Sequence, residues 1–543
     1  MCPMSQNRPL TRTVFAVTLL FLLAAATAAC GSSESSDDAT SGSTSSTAGE
    51  QGGDETVTSG KPVKADAPPT EIPEDDPMNA TPPREGAERI RYQYGPIDVK
   101  PGQNNIAFSG PEVPKPEEDG WIVRISPTLQ RADGSIPPVD VIHLHHGVWL
   151  NRSAKDSTAP LPERLFAAGE EKTIAELPEG MGYAYSADDE WTINYMIHNL
   201  FPAGEDIWIT YDIDFIPADS PAAEGMIAAR PIWMDVQNGE VYPVFDVIKG
   251  TGTDGLLTYP DDVPDAYGDG PPKAEWTVDR DGVIVGAGLH MHPGGLYGEL
   301  YARRGAEEVT LFRSEAEYFE PAGAVSWDVA MTVTPPGWTA AVKAGDVLRI
   351  NATYDSARGS WYESMGIMVL WMVDGADGDD PFTTDVNVPG VTTHGHLPEN
   401  DNHGGDETDL PDATVLPDGP SVTSMLIDAW VYEYGDTSEG ATEIPTVPQG
   451  GSITFDNKDA PLDNGIWHTI TACKAPCNKS TGIAYPLADA DIVFDSGQLG
   501  TGGVPTAERT TWSTPNDLPT GTYTYFCRVH PFMRGAFRVT PAG

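Results

Sequence analysis

Basic residues are scarce: 32 Lys and Arg stand against 81 Asp and Glu in 543 residues, a net charge of −49. A chain this acidic is repelled by a phosphate backbone, which excludes nucleic acid as a partner. The excess either adapts the surface to a salty medium or steers a cationic partner or a metal ion. Long apolar runs are almost missing. Past the first 26 residues no stretch is long and apolar enough for a membrane-crossing helix. Cysteine is rare, five in all, and none falls in 85–374, so that region carries no disulfide. Histidine is rare too, at 11. What is plentiful is Gly (56) and Pro (49), with 39% apolar residues. That balance buries a core and suits many short strands joined by turns.

The first residues read as an export signal. Arg8 and Arg12 precede an apolar run over 14–26 that ends in small residues. Thr27-Ala28-Ala29-Cys30 resembles the bacterial lipobox, with Thr27 departing from its usual aliphatic residue. The resemblance implies a lipid on Cys30 and an exported protein anchored to the cell membrane through that lipid alone; an ordinary cleaved signal or a free Cys30 is the alternative. Cys2 leaves with the signal, so Cys473, Cys477 and Cys527 remain, in a compartment that permits disulfides. The signal takes 1–29, and 30–84 is a Ser, Gly, Asp and Pro-rich tether with too few apolar residues to fold.

From 85 to 374 the pattern alternates with period two, as in Trp121-Ile122-Val123-Arg124-Ile125 and Val347-Leu348-Arg349-Ile350-Asn351. Turn residues separate the runs. The expected fold is all-β: two jelly-roll-like β-sandwiches over 85–219 and 220–374, a polar linker over 375–420, and a last β-sandwich over 421–543.

The histidines are clustered. His143, His145 and His146 share one strand-like run; His198 follows in Met196-Ile197-His198-Asn199; His290 and His292 flank Met291; His394, His396 and His403 lie in the linker; His468 and His530 lie in the last segment. A His-X-His pair on a strand puts both rings on one face, a spacing that chelates a single ion. Several imidazoles buried without partners are costly, which argues for a ligand rather than a satisfied core.

In order, His145-His146, His198, His290-Met291-His292 and Met365 resemble the ligands of the copper type II, ascorbate-dependent monooxygenases, such as the peptidylglycine α-hydroxylating and dopamine β-monooxygenases. The resemblance covers 85–374. It implies an electron-transfer copper on His145, His146 and His198, with His143 able to replace or support a ligand, and an oxygen-activating copper on His290, His292 and Met365. Two imidazoles and a thioether favour Cu(I) and leave a position open. Gly288 and Val369 stand where the peptide enzymes carry a substrate-binding Arg and Tyr, so a peptidyl-glycine substrate is not expected.

Cys527-Arg528-Val529-His530-Pro531-Phe532-Met533 closely resembles the ligand loop of the cupredoxins, with the short spacing of amicyanin, and Trp467-His468-Thr469 supplies the first His. The resemblance implies a Greek-key cupredoxin β-sandwich over 421–543 and a type 1 copper on His468, Cys527 and His530 with Met533 axial, a site built for electron relay. Cys473 and Cys477 read as a local disulfide; a dinuclear copper centre also uses Cys-X3-Cys, but within the final ligand loop. His394, His396 and His403 either contribute to a further metal site, cap a cleft, bind metal loosely, or are solvated linker residues.

The expected activity is that of a copper-dependent oxidoreductase of monooxygenase type. It would take electrons from a redox partner protein or small reductant through the cupredoxin domain and act on a small-molecule substrate the sequence does not identify. A non-catalytic electron-transfer lipoprotein and a copper-delivery lipoprotein are the competing readings.

Overall fold

A computed structural model of the chain describes residues 67–543 except 73–80, 105, 111, 140, 241, 320–326, 328, 394–407, 410–411, 461–465, 476–478, 481–491, 502–508 and 531. The export signal, Cys30, His394, His396, His403 and Cys477 lie outside the described residues. Those described form an all-β protein, with strands interrupted only by turns and short 3-10 segments.

Strands Glu88–Val99, Glu205–Pro217 and Gly120–Gln130 pair antiparallel in that order. Facing them is a four-stranded sheet of Ile106–Phe108, Trp191–Asn199, Ile142–Lys155 and Pro162–Gly169. Alternate side chains of both sheets, among them Trp149, Ile193, Ile207 and Tyr211, fill the space between. The larger sheet does not stop there. Met181–Tyr185 pairs in parallel with Ile227–Asp235, which leads to Ile367–Asp374 and Gly282–His290. The second sandwich has its own core around Leu289, Leu300, Ile350 and Met368.

The last sandwich packs a six-stranded sheet against a four-stranded one around Met425, Phe455, Tyr525 and Phe537. Ile444–Pro448 runs parallel to Arg534–Thr540, and Ser424–Asp428 parallel to Thr454–Asn457, so neighbours in space are not neighbours in sequence, as a Greek key requires.

Asp235 closes the strand Ile227–Asp235 and is fully buried. Burial raises its pKa to about 6, against hydrogen bonds from Gln237 N–H at 2.7 Å and Trp233 Nε1–H at 3.3 Å and the charge of Arg164. A carboxyl that holds its proton more tightly when folded stabilises the fold at low pH and loses that contribution as pH rises from its ordinary pKa of 3.8 to about 6. The contribution is on the order of 3 kcal/mol. Asp235→Asn should therefore gain stability relative to the parent across that interval, read by thermal melting at several pH values. A pH-independent difference would contradict it.

Candidate metal centres

The strand pair Ile142–Lys155 and Trp191–Asn199 sets the first group of imidazoles. His143 lies directly across from His198, and the register slips between Leu144 and His146. A bulge of this kind breaks strict alternation and re-aims side chains. The His143 and His198 rings are 5.0 Å apart, His143 and His145 6.3 Å, and His145 and His198 6.1 Å. Trp327 packs against all three at 4.9, 5.4 and 5.2 Å. His146 turns toward other partners: its Nε2 meets Asn194 Oδ1 at 3.1 Å, and its ring is 6.0 Å from Tyr242. The family pattern puts His146 beside His198; in the fold His143 occupies that place.

His290 ends the strand Gly282–His290, opposite Ile367. Its Nε2 faces His292 Nε2 at 3.0 Å, a spacing that suits two imidazoles on a single ion. Met365 is buried with Trp233 and Ile367. The Tyr354 hydroxyl ties its backbone to this pair, donating to Met365 O at 2.5 Å and accepting from His292 N–H at 3.3 Å. The two groups of histidines are not separate: the His145 and His292 rings stand edge to face at 4.1 Å.

Four nitrogens of this cluster, His143 Nε2, His145 Nδ1, His146 Nδ1 and His198 Nδ1, are buried with no hydrogen-bond partner. Buried polar atoms seldom stay unpaired. Burial holds the pKa of His143 and of His146 down at about 4, and puts His145, His198 and His292 well below their ordinary value. These rings are therefore neutral near pH 7, the form in which imidazole binds a metal. The donor set fits an ion that accepts several imidazoles, and copper is such an ion.

The second centre lies in the last sandwich. His468, Cys527 and His530 have ligand atoms that all lie within 4.8 Å of one another, and all three are buried. Cys527 Sγ is 3.7 Å from His468 Nδ1 and 3.8 Å from His530 Nδ1, and the two Nδ1 atoms are 3.1 Å apart. Thr469 and His530 both direct backbone N–H groups at the sulfur at 3.3 Å. Burial pushes the thiol up, but the two imidazoles outweigh it and hold Cys527 well below its usual range, as thiolate. Asp459 accepts from His468 Nε2 at 2.8 Å and fixes the ring with Nδ1 toward the sulfur. Burial works against the charge on His468, yet the bonds to Asp459 and Cys527 raise its pKa to about 9. Met533 is fully buried in the same apolar cluster as Cys527. Cys473 is disulfide-bonded.

The two centres adjoin. His198 Nε2–H donates to Val529 O at 3.1 Å, and the His198 and His530 rings are 6.4 Å apart. His530 Nε2 meets Gly102 O at 3.2 Å. Gly102 has φ of 60°, and a Cβ there would meet Trp430 Nε1 at 2.5 Å, so only glycine allows this approach. Phe201 stacks on Phe532 at 5.7 Å, and the Arg528 guanidinium lies over Trp361 at 4.5 Å while donating to Ser360 O. A small cavity of about 80 Å³ remains among His145, His198, His292, Trp327, Glu363 and Val529. A larger one, about 1300 Å³, is lined by Glu171 and His290, by Val285, Gly288, Val333, Val369 and Trp371, and by the charged Arg84, Arg124 and Glu176.

The sequence reading missed Glu171, Asp459, Trp327 and the Val529 carbonyl. A buried carboxylate and a backbone oxygen leave no spacing signature; only the fold brings them to the imidazoles.

No protein-family model matches the chain, and no curated protein matches it. Among solved structures it is similar to a copper-containing nitrite reductase from Thermus scotoductus SA-01, at 16% identity over 47% of this chain, with a TM-score of 0.14. The chain spans 55% of that reductase's length. It is also similar to a multi-copper oxidase from Pseudomonas thermotolerans, at 13% identity over 47% of this chain and 52% of that one, with a TM-score of 0.13. A triple jelly-roll protein of an archaeal virus aligns at 9% identity over 53% of this chain and 60% of its own, with a TM-score of 0.15. Overlaps this slight carry no argument, and the functional reading rests on the geometry of the site.

Proposed function

We propose that this chain is a copper-dependent oxidoreductase of monooxygenase type, in which a blue-copper domain is docked directly on a histidine cluster. The observation that carries the reading is the hydrogen bond from His198 to Val529 O, inside the loop between Cys527 and His530. His468, Cys527, His530 and Met533 would hold a type 1 copper. His143, His145 and His198 would hold a second ion, and His290 and His292, with Met365, a third; His146 borders both groups. When bound, copper supplies one-electron transfer at the thiolate site and oxygen-dependent oxidation at the cluster.

The protein's own residues do the positioning. Asp459 orients His468, and two backbone N–H groups steady the Cys527 sulfur. Gly102 lets the His530 edge seat against the front of the molecule, so the path from Cys527 to His198 crosses a single hydrogen bond. Trp327 packs against the His198 ring, and Val529 of the docked domain lines the small cavity beside the cluster. The large cavity sets an apolar wall of Val285, Val333, Val369 and Trp371 beside Arg84, Arg124 and Glu176, which suits an organic substrate with both apolar and polar groups, and Gly288 and Val369 leave room where the peptide enzymes carry Arg and Tyr. Electrons would come from a redox partner protein or small reductant. The protein would be exported and held at the membrane by a lipid on Cys30.

Oxygen uptake by the copper-loaded protein, supplied with a reductant and a panel of C–H substrates, tests this. Uptake should exceed that of the His290→Ala, His292→Ala double variant. Equal uptake, with the visible thiolate band intact, would leave an electron-transfer protein and overturn the oxygenase reading.

A further inference from the structure

Behind His290 lies a carboxylate that no motif marks. Glu171 is completely buried, and its two oxygens are divided between different donors. Oε1 accepts from Gly169 N–H at 2.9 Å and from the Thr173 hydroxyl at 3.4 Å; Oε2 meets His290 Nδ1 at 2.9 Å. The turn that brings it there is tight. Lys172 N–H closes on Gly169 O at 3.0 Å with Lys172 at φ 49°, and a Cβ on Gly169 would strike His145 O at 2.4 Å and His290 Cε1 at 2.6 Å. The backbone is thus shaped to press this one carboxylate against this one ring.

We propose that Glu171 is a positioning residue that fixes His290 as the Nδ1–H tautomer and so turns a bare Nε2 toward His292. A carboxylate only accepts, so the hydrogen between Oε2 and the ring belongs to Nδ1. A neutral imidazole carries a single N–H, which leaves Nε2 as a lone pair. That atom lies 3.0 Å from His292 Nε2, where an ion shared by the two rings would sit. Outer partners of this kind set ligand orientation and basicity, and their loss typically costs roughly 10–100-fold in metal affinity. In Glu171→Gln the amide NH2 must face either Gly169 N–H or His290 Nδ1–H, so one of the two bonds fails while size is kept.

The inference rests on the proposed copper role for the identity of the ion, but its first test does not. Nitrogen-15 spectra of the metal-free, histidine-labelled protein should show His290 protonated on Nδ1, and this signature should be lost or mixed in Glu171→Gln. The wild-type spectrum decides even if the variant folds poorly. In the copper-loaded protein, chelator competition should show affinity at the cluster falling roughly 10–100-fold in Glu171→Gln, with the visible thiolate absorption unchanged. An Nε2–H tautomer in the wild type, or unaltered cluster affinity in the folded variant, would overturn the role of Glu171 alone. Wild-type protein that takes up no copper at the cluster would overturn the proposed function, while the nitrogen-15 spectra would still decide the tautomer.

Discussion

Cys527→Ser is expected to abolish the visible absorption of the copper-loaded protein and to remove a single ion per chain. Serine fills nearly the same space, so the fold should persist around a fully buried position. What disappears is the only thiolate among the described cysteines: Cys527 is free, whereas Cys473 is disulfide-bonded. A serine hydroxyl stays protonated where the thiol does not, and the two N–H groups of Thr469 and His530 would then point at a neutral oxygen. Affinity at this site should fall by more than the roughly 100-fold that loss of a supporting partner costs. Copper analysis should still find the ions of the histidine cluster. A variant that keeps its visible band would show that the sulfur is no ligand.

The second large effect is expected at His198. This ring donates to Val529 O, lies 5.0 Å from His143 and stands 6.4 Å from His530, so it touches both centres at once. His198→Ala removes a candidate ligand and the hydrogen bond that joins the cluster to the Cys527 loop. The visible band should remain, because His468, Cys527 and His530 do not depend on this side chain for their mutual contacts. Reoxidation of the reduced protein by oxygen, followed at that band in stopped flow, should slow by roughly 10–100-fold or more. Reoxidation at the parental rate would mean that electrons reach oxygen by another path.

Much of this architecture was legible in the chain because it follows from local rules. Alternation over runs such as 121–125 predicts strands and turn residues predict their ends, but the strand stops at His290, so the meeting of His290 with His292 depends on the loop that follows rather than on alternation. The Cys527, His530 and Met533 spacing needed no tertiary knowledge, since one loop carries all three. The rest depends on contacts that spacing does not encode. Strict alternation puts His143 and His145 on one face, but the bulge at 144–146 sets which ring pairs with His198, and a bulge has no composition signal here. Glu170 and Glu171 in Gly169-Glu170-Glu171-Lys172 look like a solvated turn, yet both are buried. The contact between His145 and His292 joins residues 147 positions apart across two sandwiches. The seating of His530 on Gly102 spans 428 positions, and nothing near either residue in the chain announces it.

The most direct test of convergence is anomalous diffraction at the copper edge from crystals of the copper-loaded protein. Peaks should appear between Cys527 Sγ and the Nδ1 atoms of His468 and His530, and again within the cluster of His143, His145, His198, His290 and His292. A map with a peak at Cys527 and none among those imidazoles, even with excess copper, would contradict the account.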